Sequence, residues 1–103
     1  MENLSEVALQ VVDNEFLRQF ETTFEDQKAK IEYAQQERKI FLTKLIMSEE
    51  HIEKGYADEF IVAVFSIIEE RNIRLVPTSP IIAKFMKKNR RKYKSLLPVG
   101  INL

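Results

Sequence analysis

The chain has 103 residues, with 16 basic and 16 acidic side chains, one histidine, two glycines and no cysteine. That length bounds it to one domain, residues 1–103, and 45% apolar beside 31% charged residues is the composition of a folded chain with a modest core, not a disordered one. The lack of cysteine excludes disulfides, a thiolate metal site and a cysteine nucleophile, and the lone His51 argues against a dedicated zinc site.

Residues 1–8 read as a loose start, and Met1–Glu6 is acidic with no apolar targeting segment, so a cytoplasmic protein is expected. Ala8–Asp13 alternates weakly and reads as a strand with a turn at Asp13-Asn14. Glu15–Phe24 reads as a second strand in which Phe16, Phe20 and Phe24 share one phase and belong to the core. Glu25-Asp26-Gln27 is a polar turn. Ala29, Ile31 and Tyr33 then alternate with Lys30 and Glu32, the period of a half-buried strand. Gln35–Arg38 is the next turn, and Lys39–Met47 the next strand.

A polar loop leads from that strand to Gly55-Tyr56-Ala57, where a long helix begins. Ala57, Phe60, Ile61, Val64, Phe65 and Ile68 recur at helical spacing, and Val62, Ala63 and Ile67 widen the stripe, so this helix is buried against a sheet. Its run Phe60–Phe65 is far too short to span a bilayer, and no membrane partner is expected. It ends near Asn72, and a short strand, Ile73–Pro77, follows. Strand, helix and strand in one sheet imply a parallel, right-handed crossover. Thr78 or Ser79 can cap a further helix with Pro80 in its first turn and Ile81, Ile82, Phe85 and Met86 on its apolar side. Leu96, Leu97, Val99 and Ile101 form an apolar tail, read either as an edge strand or as docked on the core; a monomer or weak dimer is expected. The fold class is α+β: a mixed sheet with antiparallel N-terminal strands, a βαβ unit and a basic C-terminal helix.

The zero net charge hides an asymmetry. Residues 1–70 hold all 16 acids and 7 of the basic side chains, while residues 71–103 hold the other 9 basic ones and no acid. Such a segment creates a local positive field suited to an anionic ligand. A second feature points the same way. One of only two glycines, Gly55, sits at the mouth of the long helix, where unpaired N–H groups favour an anion and a missing side chain lets a ligand approach the backbone. A nucleotide-like cofactor phosphate fits that position.

Antiparallel strands followed by this βαβ unit resemble the GNAT acetyltransferase fold. Ile52-Glu53-Lys54-Gly55-Tyr56-Ala57 is similar to the family's acetyl-CoA pyrophosphate loop, Gln/Arg-x-x-Gly-x-Gly/Ala. Val76-Pro77-Thr78-Ser79-Pro80 with Phe85–Asn89 resembles the Pro-x-Cys segment and following helix of the small single-domain, YjdJ-type branch. The resemblance covers roughly residues 12–97. It implies acetyl transfer from acetyl-CoA, as cosubstrate, to an unidentified amine on a small molecule or a protein. It assigns cofactor contacts to Met47, Lys54, Gly55, Tyr56, Ala57 and Asn89, and the catalytic position to Ser79. The chain departs from the pattern at Ile52, where Gln or Arg is usual; at Glu53, where the branch often has another glycine; and at Ser79, where it has cysteine. The branch's histidine near the end of the preceding strand has no counterpart in Lys44-Leu45-Ile46.

Each of these residues also has a plain structural reading. Lys54 is either a cation beside the pyrophosphate or a solvated lysine. Ser79 is first an N-cap, since a serine without an adjacent base is a poor nucleophile. His51 could serve an amine as base, but lone loop histidines are mostly exposed polar residues. Tyr56 and Tyr93 have packing roles open to them. The run Lys84–Lys94 is a solvated helix face, a contact for the cofactor's 3′-phosphate, or a nucleic-acid surface in which Phe85 and Tyr93 stack on bases; the last ranks lowest because no recognised motif accompanies it. The alternatives to an enzyme are an acyl-CoA-binding or regulatory protein without turnover and, behind it, a small basic nucleic-acid-binding module.

Overall fold

A computed structural model describes residues 9–101; the loose start and Ala8 lie outside them. The elements in chain order are β1 (Val12–Asn14), β2 (Gln19–Phe24), β3 (Gln27–Gln36), β4 (Lys39–Ile46), α1 (Glu49–Glu53), α2 (Tyr56–Arg71), β5 (Arg74–Pro77), α3 (Pro80–Lys88) and α4 (Arg90–Tyr93), followed by a 3₁₀ turn, Lys94–Leu96. The strands form one sheet in the order β1-β2-β3-β4-β5. The first four are antiparallel neighbours, and β5 runs parallel to β4.

Tight turns set that order. Glu25-Asp26 joins β2 to β3 with both residues at positive φ, 49° and 67°, the backbone whose twist matches that of the flanking strands in a two-residue hairpin. Glu37-Arg38 joins β3 to β4 in two residues, a shorter turn than the sequence suggests, with Glu37 at φ 57°. Asn72 ends α2 in the left-handed region, its N–H donating to Glu69 O, and so does the work usually given to glycine.

Period-2 alternation sends Phe20, Ile31, Tyr33, Ile40, Leu42 and Leu75 to one sheet face, where all are buried. Helix α2 covers that face with Ala57, Phe60, Ile61, Val64, Phe65 and Ile68, as its stripe requires. Ile82, Phe85 and Met86 of α3 join the same cluster. The Phe65 ring stands edge-on to Phe85 at 5.7 Å and to Tyr93 at 5.0 Å, so α3 and α4 are pinned to the middle of α2. At the far end of α2, Arg71 Nη2 lies 2.8 Å from Asp13 Oδ2 and its guanidinium covers the Phe20 ring. Asp13 Oδ1 accepts from Tyr33 Oη at 2.6 Å. Burial, and then the Asp13 carboxylate, push the Tyr33 phenol up to about 12, so this network is held by a neutral donor.

Five expectations are corrected. Phe16 is not core but 93% exposed, because Glu15–Arg18 form the β1–β2 turn, with Arg18 at φ 57°, and β2 starts only at Gln19. The polar stretch before Gly55 is not a loop: Ser48 caps the short helix α1, accepting from His51 N. His51 is consequently not an exposed loop residue but 3% exposed beneath that helix. The basic run is not one helix, since the backbone leaves helical geometry at Asn89 and restarts as α4. Asp13-Asn14 is not a turn but the end of β1, and the turn follows it at Glu15–Arg18. Of the two readings of the tail, docking is the one found: Leu96 packs into the core through the 3₁₀ turn, while Val99 is fully exposed.

Phe65 touches both α3 and α4. Phe65→Ala is expected to cost about 3–5 kcal/mol of stability through lost burial and a residual cavity, measured by chemical denaturation, and to shift the near-ultraviolet signal of Tyr93.

Candidate active site

The two parallel strands part at a defined point. Their last paired residues are Leu42 and Pro77. The Leu42 carbonyl accepts from Thr78 N at 3.1 Å, Ser79 N at 2.9 Å and Thr78 Oγ1 at 3.0 Å. Those three bonds end β5 and turn the chain into α3, with Pro80 fixing its first turn. Strand β4 goes on to Ile46. Its pairing with β3 shifts register there: Leu42 lies opposite Tyr33 and Lys44 opposite Glu32, leaving Thr43 as the extra residue of a β-bulge. A bulge bends the strand that carries it, and this one falls at the residue after the last β5 pair. Residues 43–46 therefore have β3 on one side and, among the described residues, no strand on the other. Backbone polar groups along such an edge are open to a guest.

Helix α2 begins at the same end of the sheet, since it runs back antiparallel to β4 and β5. Its N-cap, Gly55, has φ 89°, and a Cβ built there would meet nothing within 4 Å. Glycine is thus favoured by the left-handed backbone and not by crowding. No side chain caps the helix, and the first backbone bond into it is Glu59 N to Gly55 O at 3.4 Å. The amides of Tyr56, Ala57 and Asp58 donate to no backbone carbonyl among the described residues, which is the arrangement that receives an anion.

A residue read from the sequence only as part of a polar turn governs this corner. Glu25, in the β2–β3 turn, accepts from Lys54 Nζ at 3.0 and 3.1 Å and from Tyr56 Oη at 2.8 Å, and lies 3.3 Å from His51 Nε2. Phe24 stacks on Tyr56 at 4.6 Å with the rings 7° apart. The hairpin is thereby clamped over the α1–α2 junction. Hydrogen bonds from Lys54 first, and then Tyr56, pull the Glu25 carboxyl down to about 2, and the same carboxylate pushes the Lys54 and Tyr56 pKa values up. Nothing in the sequence could pair residues 25 and 54 directly; the only signal was an acid in a hairpin turn one strand away from the helix mouth.

The remaining candidates fall as follows. Met47 leaves the end of β4 and packs partly on the core. Lys54, Gly55, Tyr56 and Ala57 are contiguous at the corner, with Ala57 buried and Lys54 held by Glu25. Ser79 occupies the N-cap position of α3 as its plain reading required, yet makes no side-chain cap bond; it is 2% exposed at the point where β4 and β5 separate. Asn89 is not part of this grouping by any bond: it separates α3 from α4 and its side-chain amide donates to Phe85 O at 2.9 Å. Phe85 and Tyr93 are buried, so neither presents a ring for stacking.

The Glu25 clamp has a pH signature. A carboxyl whose pKa falls from 4.5 unfolded to about 2 folded adds stability that is present above pH 4.5 and is lost as the pH drops toward 2. Glu25→Gln is expected to remove that acid-side loss and to lower the Tyr56 phenol titration toward its ordinary value, read by ultraviolet difference spectra. Unchanged curves in the variant would show that the clamp does not form in solution.

A family model described as GCN5-related N-acetyl-transferase matches residues 19–96. No curated protein matches the chain. The matched span runs from β2 to the 3₁₀ turn after α4, and so takes in the bulge, the α1–α2 corner and Ser79. It covers well over half of the 103 residues, and the chain belongs to the GCN5-related N-acetyltransferase family.

Proposed function

We propose that this chain binds acetyl-CoA and transfers its acetyl group to a primary amine, acting as a single domain. The observation that carries the reading is the coincidence of the strand separation after Leu42–Pro77 with the uncapped N-terminus of α2 at the same end of the sheet. The amides of Tyr56–Asp58 receive the pyrophosphate, with Gly55 leaving room for it. The thioester lies along the open edge of β4, within the reach of Met47. The protein is read as a cytoplasmic monomer or weak dimer.

The chemistry needs little from side chains. The amine nitrogen attacks the thioester carbon, and the carbonyl electron pair moves onto oxygen, where backbone N–H groups of the β4 edge stabilise it. The carbon–sulfur bond then breaks and CoA leaves as thiolate. The nitrogen loses its proton to solvent, and the thiolate gains one through the Ser79 hydroxyl, which hands its proton to sulfur and is itself reprotonated by solvent. Holding the two reactants together supplies most of the rate.

A second reading, an acyl-CoA-binding protein without turnover, is favoured by one observation. Lys54 is the single Lys or Arg between Ser48 and Glu59 and is already engaged by Glu25, while Glu49, Glu50, Glu53, Asp58 and Glu59 stand exposed around it. Phosphate must compete with a carboxylate for that lysine.

Calorimetric titration with acetyl-CoA tests both readings. Gly55→Glu, which places a carboxylate at the amide cluster, is expected to weaken binding at least about tenfold, or 1.4 kcal/mol, in a protein that still folds. Glu25→Gln is expected to tighten binding by freeing Lys54. Acetyl transfer to an amine panel separates enzyme from binder. No binding at millimolar acetyl-CoA would overturn the proposal.

A further inference from the structure

The basic segment is not part of the site just described. Lys87, Lys88, Arg90, Arg91 and Lys94 line one groove of about 440 Å³ formed by α3, α4 and the 3₁₀ turn. The groove contains no residue of the α1–α2 corner, and its surroundings place it toward the other end of the sheet. Tyr93, between its lining residues, packs on Phe65, ten residues and about 15 Å of helix beyond Gly55. The Ser95 carbonyl, just past Lys94, accepts from Arg74 Nη1, which lies at the start of β5 and not at its Ser79 end.

Three observations define what would sit there. First, among the described residues no ion pair engages any of the five cations, and residues 71–103 contain no acid to neutralise them. Second, Lys84, Lys87 and Lys88 on α3 and Arg91 and Lys94 beyond the break at Asn89 are all exposed. A nucleic-acid strand carries one phosphate per roughly 3.4 Å of axis, and the five cations that line the groove are enough to meet about four phosphates. Arg90 and Arg91 add planar forks suited to phosphate oxygens. Third, the aromatic residues of the segment are unavailable: Phe85 and Tyr93 are buried and Lys92 lies over the Tyr93 ring. Base stacking, the usual basis of single-strand binding, is therefore absent, and the contact is to backbone alone.

We propose that this groove binds the phosphate backbone of double-stranded nucleic acid, without sequence preference, at a site separate from the α2 N-terminus. The acidic surface around α1 confines the contact to this end of the molecule. Binding of this kind is carried by counterion release and weakens steeply with salt.

The test is fluorescence anisotropy of a labelled 20-base-pair DNA duplex with the full chain. Four phosphate contacts predict a loss of affinity on the order of 100-fold between 50 and 200 mM salt. Lys87→Glu with Arg91→Glu is expected to abolish binding at 200 mM salt and to reduce the salt slope by about two contacts. Both side chains are exposed, so an unchanged thermal transition shows that the fold is kept. Lys28→Glu, a charge reversal in β3, should shift affinity far less. Gly55→Glu should leave duplex binding intact, which separates this site from the proposed acetyl-CoA site. The proposal is overturned if the duplex fails to bind at 50 mM salt, or if the double variant binds as tightly as the parent. It is also overturned if acetyl-CoA displaces the duplex one for one, or if poly-glutamate competes as well as DNA, which would assign the groove to the cofactor or to an acidic protein.

Discussion

The Leu42 carbonyl holds the architecture of the site. It receives two backbone amides and a threonine hydroxyl from the residues that leave β5, and so fixes where parallel pairing stops. Were β5 to continue alongside Thr43–Ile46, the edge would be closed by ladder bonds and no cleft would exist. Two features make the stop necessary. Pro77 ends the strand and Pro80 commits the chain to a helix, while the extra residue at Thr43 turns β4 away at the same level. The cleft is thus a consequence of backbone geometry, with Ser79 held beside it as the second residue after the break.

The same end of the sheet gathers the other parts because of strand direction. β2 and β4 both end there, so the β2–β3 turn and the α1–α2 junction are neighbours although 29 residues separate Glu25 from Lys54. Helix α2 spans the sheet and is anchored at both ends by polar contacts of different kinds. One is an exposed carboxylate that lysine and tyrosine share; the other is a half-buried aspartate between tyrosine and arginine. The apolar stripe between them supplies the burial energy, and the two polar ends fix the register in which the helix lies.

Much of this was legible in the sequence where one kind of periodicity prevailed. Ala29, Ile31 and Tyr33 on β3, and the stripe from Ala57 to Ile68 on α2, gave their elements and their buried faces, because burial on one face enforces a single period. The glycine at the helix mouth was legible because only one residue type takes that backbone freely. Phe16 misled because an aromatic side chain in a hairpin turn keeps the phase of the next strand without joining it. His51 misled because a polar run reads as a loop until the serine that caps it is recognised, and Ser48 does cap α1. The Glu25 clamp was invisible because it is a contact between elements brought together by three strand reversals, which no local pattern encodes. The convergence of Lys87, Arg91 and their neighbours on one groove depended likewise on the break at Asn89, where no proline or glycine marks the end of the helix.

The turns carry one further consequence. Arg18, Glu25, Asp26, Glu37 and Asn72 all hold left-handed backbone, a conformation that costs a side-chain-bearing residue on the order of 1 kcal/mol more than it costs glycine. In a chain with two glycines, that is an untapped reserve of stability. Four of the five positions could release it without touching the cleft. At Glu25 the strained residue is also the one that holds the helix mouth, so there the molecule retains conformational tension in exchange for a carboxylate that no glycine can provide.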